Sequence, residues 1–334
     1  MYFKDKRILV IGGTGTIGKS IVKQIINENP QDIKVFSRDE YKQQYLRTEL
    51  GNRDNLRFII GDIREYDSLV AAMQDIDYVL HLAAMKHVDA CEYNPIEAVR
   101  TNIQGTNNVI KASISQNVKK VIFTSSDKAI SPTSTYGATK LIAERLVSAA
   151  ESNKSEGMPV FASVRFGNVM GSRGSVIPFF KEQILKEKKI TVTDRDMTRF
   201  MMTENQATEL TIKALKEAKG GEVFVLKMPV IKLGDLADIL VEEISKTYQI
   251  NDEEIVVEVI GLRPGEKMYE ELMTYDESKS AWELPSMYII RGSSDREINY
   301  SDAKKANIGT YSSMSHHPLA VNKLRFMLKG AGLI

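Results

Sequence analysis

Residues 12–18, Gly-Gly-Thr-Gly-Thr-Ile-Gly, stand between the apolar pentapeptide Arg7–Ile11 and a segment of helical period. In that segment Ile17, Ile21, Val22, Ile25 and Ile26 fall on one stripe. Gly12, Gly15 and Gly18 are spaced three apart. A turn this tight between a buried strand and a helix needs glycine, both for its backbone and for close approach to a ligand. It also aims the free N–H groups of the helix start at whatever lies above them, which suits a pyrophosphate. The bland alternative is a bare structural turn. The strand–turn–helix context predicts dinucleotide binding instead.

The same alternation continues down the first half of the chain. Strand-length apolar runs at Ile33–Phe36, Leu56–Ile60, Asp77–Leu82, Lys120–Thr124 and Val160–Arg165 are mostly separated by helical patterns near Tyr66–Gln74, Asn94–Asn117 and Tyr136–Ser152. Repeated strand–helix units of this kind predict an α/β fold with a doubly wound parallel sheet of Rossmann type. After Arg165 glycines cluster and the segments shorten. Helices are expected at Glu204–Lys216 and Leu233–Tyr248, strands at Glu222–Lys227 and Ile255–Ile260, and an irregular end. We expect a dinucleotide domain of residues 1–165 plus about 196–230. A smaller, discontinuous α/β lobe would take about 166–195 plus 231–334.

Charge excludes some functions. Forty-five Lys+Arg against 44 Asp+Glu leave +1, so the electrostatic footprint of a nucleic-acid binder is missing. No apolar run approaches the ~18 residues of a membrane span, and the charged opening residues do not read as a signal peptide. A cytoplasmic protein with no membrane partner is expected. Cys91 is the one cysteine, and no carboxylate or histidine shows metal-ligand spacing, so no metal is expected.

The second strand ends Ser37-Arg38, with Asp39 and Glu40 beyond it. An acid at that end would read the ribose hydroxyls of NAD, whereas arginine accommodates the 2′-phosphate of NADP. Ser37 and Arg38 therefore favour NADP over NAD, and Asp62 stands where such folds meet the adenine. Tyr136 and Lys140, four apart, project from one helix face. A phenol titrating near ~10 needs a cation to act as a base near neutrality, and Lys140 supplies one.

These segments resemble the extended short-chain dehydrogenase/reductase superfamily over essentially the whole chain. Within it, the resemblance is to nucleotide-sugar 4,6-dehydratases acting on UDP-N-acetylglucosamine in polysaccharide and nonulosonic-acid biosynthesis. Its carriers are Ala83-Ala84-Met85-Lys86-His87-Val88, Glu92-Tyr93-Asn94-Pro95, Ser126-Asp127-Lys128-Ala129, Tyr136-Gly137-Ala138-Thr139-Lys140, Arg165-Phe166-Gly167-Asn168-Val169, Asp196-Met197-Thr198-Arg199-Phe200 and Arg263-Pro264-Gly265-Glu266-Lys267. Glucose-type dehydratases place Asp-Glu where this chain has Asp127-Lys128. The stretch 130–135 departs from the group's usual Asn-Pro form.

The resemblance implies that Tyr136 takes the C4 hydroxyl proton, that Lys128 removes the C5 proton and that Asp127 protonates the departing hydroxyl. As a base Lys128 would need a pKa well below ~10.4. Further implied cofactor contacts are Thr14, Thr16, Ile17, Ile63, Ala83, Ala84 and Lys86. Implied substrate contacts are Lys86, His87, Asn168, Arg173, Val176, Arg199, Arg263 and Glu266. Arginines suit a diphosphate because their planar forks bind its oxygens in pairs. Asn102 is expected to brace the sheet. Homo-oligomers, from dimer to hexamer, are implied. Three alternatives stay open: the same dehydration on GDP-N-acetylglucosamine, a UDP-sugar 4-epimerase, and a silent NADP sensor.

Overall fold

In the computed structural model, residues 1–263, 265–291, 300 and 302–334 are described. Six strands of the first half alternate with helices: β1 (Arg7–Ile11), β2 (Asp32–Ser37), β3 (Leu56–Ile60), β4 (Tyr78–His81), β5 (Lys120–Thr124) and β6 (Val160–Arg165). They run parallel in the order β3-β2-β1-β4-β5-β6, and Val223–Leu226 adds a further parallel strand beside β6. The order reverses between β1 and β4, and open α/β sheets bind ligands at such a switch point.

Each central strand is buried on both faces, which explains its unbroken apolar run. Ile8 and Val10 enter one core with Ile21, Val22 and Ile25 of α1 (Thr16–Ile25). Leu9 and Ile11 enter the other. That second core is closed by α3 (Tyr66–Ala72), α6 (Gly105–Ser115) and α7 (Thr135–Ser152) through Leu69, Val109 and Ala143. Fully burying one such aliphatic side chain stabilises by about 1.5–3 kcal/mol.

Two expectations are corrected. Three short segments expected in the smaller lobe, Ala281–Glu283, Met287–Ile290 and Lys304–Lys305, extend the main sheet antiparallel beyond Val223–Leu226. Thr198–Met202 pairs with Asn168–Val169 and Val230–Lys232 in a separate three-stranded sheet, with Phe200 and Met202 packed in the main core. The end is not irregular, because Val321–Gly330 is a helix held by buried Leu324 and Leu328, one turn apart. Those leucines pack with Phe180, Ile184, Leu236 and Leu240 in a separate core, that of the smaller lobe.

The helix expected over 94–117 also has a break. Between α5 (Pro95–Ala98) and α6, residues Val99–Gln104 form a π-helical turn. Such turns often mark functional sites. This one carries Asn102, which is 1% exposed. Its Oδ1 accepts from the Met85 N–H at 2.8 Å, and its Nδ2 donates to the Met85 carbonyl at 3.0 Å and to Thr139 Oγ1 at 2.9 Å. Asn102 thus ties the loop after β4 to α7.

Candidate active site

The strand ends of the switch point open into a continuous cleft of about 1610 Å³. A drug-sized ligand fills roughly 300–1,000 Å³, so this volume accommodates two ligands side by side. One end is floored by the glycine turn. Gly12 has φ +79°, and a Cβ there would meet the Ala83 backbone nitrogen at 2.8 Å. A Cβ on Gly18 would meet the Gly12 carbonyl at 2.4 Å, so α1 starts hard against the turn. No side chain caps α1, and its first turn holds no acid. Its unpaired N–H groups are therefore free for an anion, and the cradle fits a dinucleotide pyrophosphate. Thr14, Gly15, Thr16, Ile17, Ile63, Ala83 and Ala84 line this end.

At the ribose end, Asp39 is occupied locally. It caps α2 (Glu40–Leu50), accepting from the Lys42 N–H at 3.0 Å and pairing with Lys42 Nζ at 2.5 Å. Lys42 chiefly, and Arg173 across the cleft more weakly, hold its carboxyl below the usual range. Asp62 pairs with Arg64 at 2.7 Å and with Arg38 at 3.6 Å, while Ser37 Oγ accepts from Gln43. Exposed Arg38 and half-buried Lys42 supply the cations of this rim, beside Asp62 and Asp39.

The reacting centre gathers where β5 ends. Ser126 Oγ donates to Asp127 Oδ1 at 2.7 Å, and the Lys128 N–H donates to the same oxygen at 2.9 Å. Asp127 is 1% exposed. Tyr136, at the start of α7, is buried with them. Burial pushes its phenol up to about 12, while the neighbouring Ser126 hydroxyl and the charge of Lys128 pull the other way. Lys140 Nζ donates to the Thr124 carbonyl and lies 4.2 Å from the Phe123 ring centre. Burial lowers its pKa to about 7, offset in part by Glu144.

Lys128 does not carry the depressed pKa that a resting lysine base calls for. Burial does oppose its charge, but its Nζ lies 3.2 Å from Asp127 Oδ2 and 3.3 Å from Glu270 Oε1, and these carboxylates raise its pKa. The resting site holds an ammonium. Sequence reading missed both Glu270 and Ser126. Ser126 stood in view only as the first residue of the segment Ser126-Asp127-Lys128-Ala129. Glu270 lies 142 positions beyond Lys128, and no spacing connects them.

The expected substrate residues are spread around this centre. Lys86, His87, Asn168 and Arg173 line the cleft, and Lys86 Nζ donates to the Arg173 carbonyl at 2.7 Å. Burial lowers the pKa values of Lys86 and His87. Arg199 is placed differently from the diphosphate ligand expected. It lines a smaller cavity beyond Lys128, and its fork is spent on the carbonyls of Thr198, Lys267 and Met268. Glu266 lines that second cavity too. Val176 packs on the lobe core, and Arg263 borders neither space but is tied through its backbone to Glu266.

A family model described as polysaccharide biosynthesis protein matches residues 8–292. A UDP-N-acetylglucosamine 4,6-dehydratase (inverting) of Campylobacter jejuni is 40% identical over 90% of this chain and 87% of its own. A UDP-glucose 4-epimerase of Rickettsia felis is 37% identical over 98% of this chain and 96% of its own. The solved structure of Pen from Bacillus thuringiensis is 57% identical and covers all of both chains, with a TM-score of 0.95. A dTDP-glucose 4,6-dehydratase of Streptomyces venezuelae, solved with NAD and TYD bound, shares the fold: TM-score 0.70, 22% identity, 78% of this chain and 86% of its own. Among the described residues no helix is long and apolar enough to cross a membrane.

Proposed function

We propose that this chain, which belongs to the polysaccharide biosynthesis protein family of extended short-chain dehydrogenase/reductases, is an NADP-dependent UDP-N-acetylglucosamine 4,6-dehydratase. That it is an enzyme of the dehydratase and epimerase type follows from its relatives. The finer reading rests on one observation. Buried Asp127 and half-buried Lys128 stand as an acid–base pair beside Tyr136, in the cleft that also holds the dinucleotide cradle. A 4-epimerase has no use for such a pair.

NADP, when bound, supplies hydride acceptance from C4 and hydride return to C6. Tyr136 accepts the C4 hydroxyl proton, with Ser126 and Lys128 favouring its phenolate. The C4 ketone then acidifies C5–H. Passing one proton from Lys128 to Asp127 across 3.2 Å turns the resting ion pair into an amine and a carboxylic acid. These are the two states the elimination needs. The amine removes the C5 proton while the acid protonates the leaving C6 hydroxyl, and water departs. Ser126, which donates to Asp127 Oδ1 and adjoins Tyr136, offers the proton gained by the phenol a path back to the spent carboxylate, and Lys128 returns a proton to C5 as hydride reaches C6.

The preference for NADP is supported by the rim cations Arg38 and Lys42, and by Asp39 being engaged as a helix cap. The test is to incubate the protein with UDP-N-acetylglucosamine in deuterated water, with and without NADP⁺, and follow the sugar by NMR. A 4-keto-6-deoxy product carrying deuterium at C5 is expected, and its C5 coupling constants report retention or inversion. Formation of the 4-epimer alone would overturn the dehydratase. Turnover of the GDP-linked sugar in preference to the UDP-linked one would change the substrate.

A further inference from the structure

Behind Lys128, on the side away from the cofactor cradle, lies a second and smaller cavity of about 160 Å³. Lys128 borders both spaces, so its side chain forms part of the wall between them. Ser134, Asn168, Arg199, Lys267 and Glu270 contribute to the rest of the small cavity. It is polar and has room for a short chain of waters.

Glu270 is held there firmly. Its N–H donates to Ser313 Oγ at 3.0 Å, and its carbonyl accepts from the Ser313 N–H at 2.9 Å. The residue is 3% exposed. Oε1 lies 3.3 Å from Lys128 Nζ and 3.9 Å from Arg199 Nε. Oε2 is buried without a hydrogen-bond partner. Leaving a buried acceptor unpaired costs about 1–3 kcal/mol, more for a charged group, so a protein keeps one only for a reason.

We infer that Glu270 is a positioning residue acting through Lys128, and that it exchanges the lysine's proton with solvent by way of water in the small cavity. The inference rests on the dehydratase reading. The proton removed from C5 arrives on the Lys128 amine, making an ammonium. Oε1 accepts one proton from that ammonium, and water at Oε2 carries it outward. The reverse path returns a solvent proton to Lys128. No electrons move and no other reactant is needed. The consequence is chemical: hydrogen delivered to C5 by Lys128 comes from solvent and not from the substrate.

Four charged or titratable groups face or adjoin Lys128: Asp127 beside it, Glu270 and Arg199 from the wall of the small cavity, and Tyr136 from α7. Replacing Glu270 by Gln removes one of the two carboxylates and keeps the shape. Lys128 then loses its proton more readily, and the pH–rate profile moves to lower pH. In deuterated water the E270Q product carries less deuterium at C5, as the substrate's own hydrogen returns. Glu270→Asp, which keeps the charge, restores the deuterium and the pH profile in part. An unmoved profile together with a fully deuterated C5 in E270Q would overturn the inference while leaving the dehydratase standing. Wild-type protein that dehydrates without taking deuterium into C5 would do the same. Wild-type protein that forms no dehydrated sugar would remove both.

Discussion

The Nζ of Lys128 lies 3.2 Å from each carboxylate oxygen of Asp127, so acid and base are adjacent in sequence and in direct contact. Adjacency on a single 3-10 turn, Asp127–Ala129, allows little variation in their separation. The proposed chemistry assigns them to elimination and leaves C4 oxidation to Tyr136. Asp127→Asn should therefore stop the reaction midway. Reduced nicotinamide and a 4-keto sugar should accumulate, seen as nicotinamide absorbance that rises and does not return. Overall dehydration should fall about 10²–10⁴-fold, the usual worth of a positioned acid or base. Absorbance that never rises would mean that Asp127 also serves the first step.

Lys140 gives a pH-dependent prediction. Its folded pKa is lowered to about 7 by burial, far below its ordinary value of 10.5. Between these values the unfolded chain binds more protons, so this group makes the ligand-free protein more stable as pH rises from 7 towards 10.5. An anionic dinucleotide in the same cleft favours the ammonium and raises the pKa again. Cofactor binding at pH 8 should therefore take up a fraction of a proton. Calorimetry in buffers of different ionisation enthalpy measures it, and Lys140→Met should abolish the uptake.

Arg38 offers a separable test of cofactor choice. It is exposed at the rim of the cleft, paired only loosely with Asp62 at 3.6 Å. A charge-assisted bond to a phosphate is worth about 1.5–3 kcal/mol, so Arg38→Ala should weaken NADP⁺ binding about 10- to 100-fold. Binding of NAD⁺, which lacks the 2′-phosphate, should hardly change. Equal losses for both cofactors, measured by fluorescence or calorimetric titration, would show that Arg38 holds something other than that phosphate.

The sheet and the cradle were legible because both depend on local pattern. An apolar run, a glycine turn and a helical stripe fall within the first 26 residues, and the same period repeats to β6. The pair Asp127-Lys128 was singled out by the family resemblance, which its adjacency in sequence made easy to see. Electrostatics were not legible. The state of Lys128 is set by Glu270, brought in by a loop that Ser313 anchors, and nothing local announces that meeting. The strands Ala281–Glu283, Met287–Ile290 and Lys304–Lys305 were missed because short antiparallel strands lack the βαβ signal. The final helix was missed because its buried stripe, Leu324 and Leu328, is only two residues long and Phe326 faces out.

Arg165 ties β6 to α7 and to the helix Tyr275–Ser280. It is fully buried, and its fork holds Glu144 of α7 and Glu277 of the helix Tyr275–Ser280, with Nη1 also donating to the Leu272 carbonyl at 2.9 Å. Breaking such a group by removing one partner leaves uncompensated charge inside, at a cost of about 3–5 kcal/mol. Arg165→Met should lower Tm by roughly 5–10 °C. Converting Glu144 to Gln in the same chain should recover part of that loss, since the neutral amide no longer needs a cation. Glu277 gives the pH signature. Burial opposes its charge, but Arg165 outweighs it and lowers its pKa below 4.5. Its contribution is present above pH 4.5 and fades as pH falls through the lowered folded value. In Arg165→Met that acid-labile part is already gone. The Tm difference between the two proteins should therefore be largest near neutrality and shrink towards acid. A difference that stayed constant over that range would mean that Arg165 stabilises by packing alone.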